Sequence, residues 1–262
     1  MSRSGYYSWL ERGKSKRVVE NEALVKEIKS IHKESRYLYG SPRVHAVLKK
    51  RGYSYNRKRV ERLMRENRII SRVTRKFKKK RKNYLFYNQS PNLLLDRDLP
   101  SRKNQVWVGD ITYIRTNANW TYLAVVMDLY SRKVLGWSYG ASRKAHIAKE
   151  ALSMAVNNSP PTKYTIFHSD QGIEYTSTVF QEHVRTLGLT PSMSRKGHCW
   201  DNAFMESFFH TLKTEMVYFQ KFSNISEVTA YIMDYITFYN HYRIHSSLNY
   251  DTPEAYHVKK TA

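Results

Sequence analysis

Cysteine is nearly absent. Cys199 stands alone among 262 residues, so no intramolecular disulfide can form and zinc sites built on paired cysteines are excluded. That usage fits a reducing, cytoplasmic setting. Long apolar runs are missing too: no stretch approaches the roughly 18 consecutive apolar residues of a membrane span, and Met1 to Leu10 lacks the apolar segment of a signal peptide. Negative charge is scarce, with 22 Asp and Glu against 45 Lys and Arg and a net charge of +23. An excess of that size suits a polyanionic partner better than a small neutral ligand, and nucleic acid leads. What is plentiful is core-forming material. At 41% hydrophobic and 14% aromatic, the chain is too apolar for general disorder, and its length leaves room for one large domain or two modest ones.

The charge divides the chain. Residues 1–100 hold 28 basic and 9 acidic residues, whereas residues 101–262 hold 17 and 13. In the basic front, Leu24, Ile28 and Ile31 recur at helical spacing and predict a helix from about Glu20 to Ser35. Gly40-Ser41-Pro42 offers a break, an N-cap and a first-turn proline for a second helix through Val44, Val47 and Leu48, stopped by Gly52. Asn56 caps a third helix through Val60, Leu63 and Met64, with Arg57, Lys58, Arg59, Arg62 and Arg65 on the other face. The three read as a helix-turn-helix-like unit whose basic face contacts the DNA backbone; a helical bundle with a solvated basic face is the plainer alternative. Beyond it, Arg72, Arg75, Lys76, Lys78, Lys79, Lys80, Arg81 and Lys82 make eight of eleven consecutive residues basic. Such a segment is too charged to bury and reads as a flexible or DNA-ordered linker.

A different pattern begins near Gln105. Val106 to Ile114, Trp120 to Met127 and Lys133 to Tyr139 predict three strands of an antiparallel meander. A helix over Lys144–Val156, a strand over Tyr164–His168, a helix over Thr178–Leu187, a strand over Thr190–Met193 and a helix from about Asn202 to Met216 follow. No internal repeat is visible.

Three carboxylates in this second part carry chemical promise. Asp110 lies inside a strand, where an isolated buried carboxylate is costly unless it has a partner or a metal. Asp170 ends the later strand, at the edge where crossover loops give solvent access. Glu206 shares a polar helical arc with Asn202, His210 and Lys213, beside an apolar arc of Met205, Leu212 and Met216. Two strand aspartates and a helical glutamate supply hard oxygens of the type that Mg2+ or Mn2+ prefers, and two such ions can promote an in-line displacement at phosphorus. Other acids have plainer readings. Asp128 fits a structural turn or an Arg132 pair, Glu174 a solvated loop, and Asp201 a helix cap; His168 fits a hydrogen-bonded strand end or a DNA contact. Cys199 and Trp200 fit loop packing, and the 21 tyrosines show no tyrosine-recombinase constellation.

The motifs also resemble a known family. Trp107-Val108-Gly109-Asp110-Ile111-Thr112-Tyr113, His168-Ser169-Asp170-Gln171-Gly172 and the segment from Ser194-Arg195-Lys196-Gly197 to Asp201-Asn202-Ala203-Phe204-Met205-Glu206-Ser207 resemble the integrase core of OrfB-type DDE transposases of insertion sequence family three, with 35 residues between Asp170 and Glu206. Tyr39 to Arg43 and Arg59 to Glu66 resemble the family's front, and Tyr239-Asn240, Arg243, His245 to Leu248 and Tyr250 to Pro253 its C-terminal signature.

The resemblance implies an α/β RNase H-like core with a five-stranded mixed sheet behind a small basic all-α domain. It implies Asp110, Asp170 and Glu206 as catalytic and metal-binding residues, with two Mg2+ or Mn2+ ions once substrate is bound. Expected activity is DNA cleavage at element ends followed by strand transfer from the liberated 3′-hydroxyl, by way of a circular intermediate. The expected domains are an N-terminal segment 1–19, a helix-turn-helix-like domain 20–70, a basic linker 71–100, the catalytic core 101–220 and a C-terminal helical extension 221–262. Besides the basic front, Arg195, Lys196 and Lys213 are expected DNA contacts and Asn202 an orienting partner of Glu206. Expected partners are double-stranded DNA, further copies of the chain on DNA, and an upstream-frame helix-turn-helix and leucine-zipper protein, separate or fused; the expected setting is the bacterial nucleoid. A silent DNA-binding regulator and a structure-selective nuclease are the competing functions.

Overall fold

A computed structural model describes residues 2–73, 90–95, 98–142, 145–195 and 202–259. The chain forms two compact units, residues 1–74 and 75–262.

The front unit is helical. Helix α1 spans Arg3–Glu11, α2 Lys16–Glu34, α3 Ser41–Lys50 and α4 Arg57–Glu66. Leu24, Ile28 and Ile31 of α2, Val44 and Leu48 of α3 and Val60, Leu63 and Met64 of α4 are all buried, as the helical spacing predicts, and the three helices pack against one another. Two details differ from the sequence reading. Helix α2 starts four residues early because the Ser15 hydroxyl accepts from the Val18 amide. Ser41 is the first helical residue of α3 rather than its cap; Gly40 occupies the cap without a side-chain bond, and Pro42 fills the first turn. Asn56 does cap α4, accepting from the Lys58 amide at 2.8 Å.

The second unit is built on a five-stranded mixed sheet in the order β3-β2-β1-β4-β5. Strands β1 (Val106–Arg115), β2 (Trp120–Asp128) and β3 (Val134–Gly140) make the antiparallel meander. Strands β4 (Ile166–Ser169) and β5 (Thr190–Met193) add in parallel on the other side of β1. Helix α5 (Ala145–Asn158) covers one face through Ile147, Ala148, Ala151, Leu152 and Ala155, packed with Trp107, Ala124, Val126, Leu135 and Phe167. Close approach of α5 to β3 needs Gly136: a Cβ there would strike the Ala151 carbonyl oxygen and lie 2.5 Å from the Ala155 nitrogen. Between β4 and β5 run the short α6 (Ile173–Thr176), which the sequence reading omitted, and α7 (Thr178–Thr186).

Helix α8 (Ala203–Glu215) packs on β1, and α9 (Ile225–His241) packs on β3. On α9, Val228, Ile232, Ile236 and Tyr239 are buried, whereas Ile225 at its start is exposed. At its end, the Asn240 amide both accepts from the Val134 N–H and donates to its carbonyl, at 3.0 and 2.9 Å. Helix α10 (Pro253–Val258) packs on α9. Among the described residues no helix is long and apolar enough to cross a membrane.

Candidate active site

The register of two parallel strands places the first two carboxylates. Strands β1 and β4 pair from Val106↔Ile166 to Gly109↔Ser169, and the next residue on each is an aspartate, Asp110 and Asp170. By alternation Asp110 belongs to the face of β1 that carries Val108, and Asp170 directly follows the last residue of β4. Both are half-buried. Asp110 accepts from the amide of Ile111 at 2.7 Å, and Asp170 accepts from that of Gly172 at 2.9 Å. Gly172 matters for space: a Cβ there would come within 2.9 Å of Asp170 Oδ1 and 3.1 Å of Glu174 Oε2.

Glu206 comes from the helix that lies on β1. It occupies the first turn of α8, where the helix dipole favours an anion, and is half-buried. Met205, Phe208, Phe209 and Leu212 bury the opposite side of the helix, so Glu206 rests on the arc that the sequence assigns to it. His210 on this arc is exposed, whereas Lys213 reaches the Tyr113 ring, with Nζ 4.3 Å from the centroid. Among the described residues, no three His, Cys, Asp or Glu side chains form a ready-made metal cluster. Asp110 and Asp170 are instead brought to adjoining register positions, with Glu206 on the helix above the same strand. Three hard-oxygen side chains on two strand ends and a neighbouring helix fit a divalent cation by donor type.

Residues 100–199 match the Integrase core domain family, residues 187–253 a second Integrase core domain family, and residues 20–77 the HTH-like domain family. Over 260 residues the chain is 38% identical to the insertion element IS600 uncharacterized 31 kDa protein of Shigella sonnei, covering 99% of this chain and 96% of that protein. It is 38% identical over 252 residues to the transposase for insertion sequence element IS904 of Lactococcus lactis, covering 94% and 97%. It is also 36% identical over 267 residues to transposase InsF for insertion sequence IS3 of Escherichia coli O111:H-, covering 100% and 92%. The chain belongs to the transposases of insertion sequence family three. Its fold recurs in the simian T-cell lymphotropic virus intasome, solved in complex with PP2A regulatory subunit B56 gamma. There the TM-score is 0.54 at 19% identity, over 66% of this chain and 60% of the other.

The remaining acids of this transposase sort by burial. Asp128 is fully buried and builds the β2–β3 turn: Oδ1 accepts from the Asn104 amide at 3.0 Å, and Oδ2 from the amide and hydroxyl of Ser131 at 2.9 and 2.6 Å. Arg132 lies over the Phe204 ring at 4.0 Å; burial lowers its pKa, against the opposing influence of Tyr239 and Asp128. Glu174 corrects the sequence reading. It is 4% exposed, not solvated, because the unforeseen α6 folds it back beside Asp170. His168 is a buried strand-end histidine whose Nδ1 lies 2.9 Å from Ser192 Oγ. Asn202 stands at the N-cap position of α8 but is buried and makes no capping bond. Its place on the polar arc therefore does not make it solvent-facing.

The expected DNA contacts divide as well. Arg57 and Lys58 are exposed at the start of α4, and Arg72 and Arg195 are exposed. Arg62 pairs with Glu66 at 3.2 Å. Arg59 turns inward: Nε and Nη2 donate to Asn21 Oδ1 at 3.0 and 2.7 Å, Nη2 also reaches Glu20, and the guanidinium covers Tyr55. Arg75, Lys76, Lys78, Lys79, Lys80, Arg81, Lys82 and Lys196 lie outside the described residues, as do Cys199, Trp200 and Asp201. Sequence reasoning missed the ion pair of Arg243 with Glu215, in which Nη2 and Nε donate at 2.8 and 2.9 Å and the Tyr235 hydroxyl adds a bond at 2.9 Å. This pair ties the end of α8 to the chain beyond α9. Arg243 belongs to the C-terminal signature, but nothing in the spacing names its partner.

Proposed function

We propose that Asp110, Asp170 and Glu206 are the catalytic carboxylates of this transposase and that together they hold Mg2+ or Mn2+, two ions once DNA is bound. The observation that carries this reading is the β1–β4 register, which sets Asp110 and Asp170 side by side beneath the helix bearing Glu206. When bound, such ions supply the positive charge that activates an attacking oxygen and steadies the departing one. The chain presents the phosphodiester to its nucleophile. In the cleavage step water forms the new bond to phosphorus and the element's 3′-oxygen leaves with a proton. In the joining step that 3′-hydroxyl attacks a second phosphodiester, so one P–O bond forms as another breaks.

Arg195 and Lys213 hold phosphates in the second unit. Arg57 and Lys58 do so in the front unit, with the basic run from Arg72 to Lys82 between the two domains. Pairing two element ends calls for at least two copies of the chain, and the upstream-frame protein, separate or fused, contributes recognition of those ends.

The test is a strand-transfer assay with labelled element-end DNA, Mg2+ or Mn2+, and wild-type protein beside Glu206→Gln, with and without the upstream-frame protein. Joined products from wild type that vanish in the variant, while DNA binding persists, are expected. Wild-type turnover by Glu206→Gln would overturn the triad assignment.

A further inference from the structure

Helix α4 turns one acidic side chain outward among cations. Val60, Leu63 and Met64 bury its inner side, and Arg59 is tied to Asn21 and Glu20 of α2. Arg57, Lys58, Glu61 and Arg65 are exposed. At about 100° per residue they fall at roughly 0°, 100°, 40° and 80° around the helix axis, so Glu61 stands between the directions of Arg57 and Lys58. Among the described residues no hydrogen bond or ion pair engages any of these four side chains. Helix α4 does make one i,i+4 pair, Arg62 with Glu66 at 3.2 Å. Glu61 pairs neither with Arg57, four residues before it, nor with Arg65, four residues after.

A carboxylate on this face has a cost and one place to recover it. Phosphates repel it, so on a surface that only followed the DNA backbone Glu61 would weaken binding to every sequence. Base edges differ. In the major groove cytosine offers its N4 amino group and no acceptor, whereas guanine and thymine offer acceptors and adenine sets the acceptor N7 beside its amino group. The place of α4 in the fold fits that groove. It is the second helix of the packed α3–α4 pair in the helix-turn-helix-like domain, the helix whose first turns reach base edges in such domains. The groove, about 12 Å wide, admits one helix. Arg57 and Lys58, to either side of Glu61, then meet the phosphates that border it.

We infer that α4 enters the major groove and that Glu61 accepts a hydrogen bond from N4 of a cytosine there, so that the front unit selects sequence as well as holding phosphates. This rests on the proposed phosphate contacts of Arg57 and Lys58 and deepens them: recognition of element ends is not left to the upstream-frame protein alone.

The test selects bound sequences from a pool of randomised duplexes with the full chain, wild type beside Glu61→Ala and Glu61→Gln, in the absence of the upstream-frame protein. Wild type should enrich cytosine at one position, and exchanging that base pair in the selected site should cost about tenfold in affinity. Glu61→Ala should reduce that cost below twofold, keep the preferences at other positions and bind random-sequence DNA at least as tightly as wild type, since a repelled charge is gone. Glu61→Gln should move the preference to adenine, whose N6 and N7 suit an amide. No cytosine position in the wild-type selection, the same preference in all three proteins, or a loss by Glu61→Ala that is equal on every sequence overturns the assignment. Arg57→Ala combined with Lys58→Ala should weaken binding to all sequences alike; unchanged affinity in that variant sinks the phosphate contacts, a result distinguishable from the others. Failure of wild type to bind any DNA overturns both.

Discussion

Arg243 and Glu215 show how one buried pair can govern the end of helix α8. Both side chains are almost wholly buried, at 5% and 4% exposure. Burial would lower the Arg243 pKa, but the adjacent Glu215 carboxylate more than reverses this and holds it above its ordinary value. The same burial, reinforced by Glu215, pushes the Tyr235 hydroxyl well up. Breaking such a pair from one side leaves an uncompensated charge in a poorly polarisable interior. Arg243→Leu should therefore destabilise the second unit by about 3–5 kcal/mol, read as a lower urea midpoint. Adding Glu215→Leu should recover a large part of the loss, since the stranded carboxylate goes with it. A double variant as unstable as the single one would show that packing around Tyr235 and Tyr239, not charge, sets the cost.

The partners in that pair are 28 residues apart in sequence, and no periodicity links them. Asp110 and Glu206 were easier to single out, since one interrupts a strand pattern and the other sits on a polar helical arc. Glu174 misled for a physical reason. It lies near Asp170 but off the carboxylate motifs and so reads as a solvated loop, whereas four residues of α6 suffice to bury it.

At the scale of elements, periodicity over eight or more residues was readable and local capping was less so. The apolar runs of β1 and β2 and the apolar face of α8 give their strands and helix nearly to the residue. The start of α2 depends on the Ser15 hydroxyl satisfying an end amide well before the apolar stripe begins, and α3 takes Gly40 as a cap with no side chain to offer; composition decides neither. Contact between α5 and β3 shows how strongly one position can constrain two elements. Gly136→Ala places a methyl group against backbone atoms of Ala151 and Ala155, which cannot rotate away as a side chain can. The helix must lift, and a loss of about 1–3 kcal/mol is expected, seen as a lower melting temperature. An unchanged melting temperature would mean that α5 tolerates the shift.

Helix α2 responds to pH through His32. Burial lowers its pKa below 6.5, partly opposed by a hydrogen bond to the Ile70 backbone. The unfolded chain therefore binds this proton more readily than the folded one. The stabilising contribution of neutral His32 is complete above pH 6.5 and is lost as pH falls from there through the lowered folded value. Protection factors of α2 amides, which divide out the intrinsic pH dependence of exchange, should fall as pH is lowered through that window in wild type, and His32→Gln should remove this component. An identical pH response in the variant would assign the effect to another group.

For the whole molecule, charge and chemistry are partitioned along the chain. Residues 1–100 carry 28 of the 45 basic residues, while the three candidate catalytic carboxylates lie on the sheet and helix of the second unit. DNA affinity and phosphoryl transfer should accordingly respond to different substitutions. Each phosphate neutralised contributes about 0.9 to the slope of log affinity against log salt concentration. The eight Lys and Arg between Arg72 and Lys82 could together account for a slope of up to about 7. Replacing them with Gln should weaken binding at low salt, flatten the salt dependence and leave turnover at saturating DNA largely intact. The flattening is the decisive readout, because a folding defect lowers the active fraction without changing the slope. A slope equal to that of wild type would remove the segment from the DNA interface and leave the affinity to Arg57, Lys58 and the cations of the second unit.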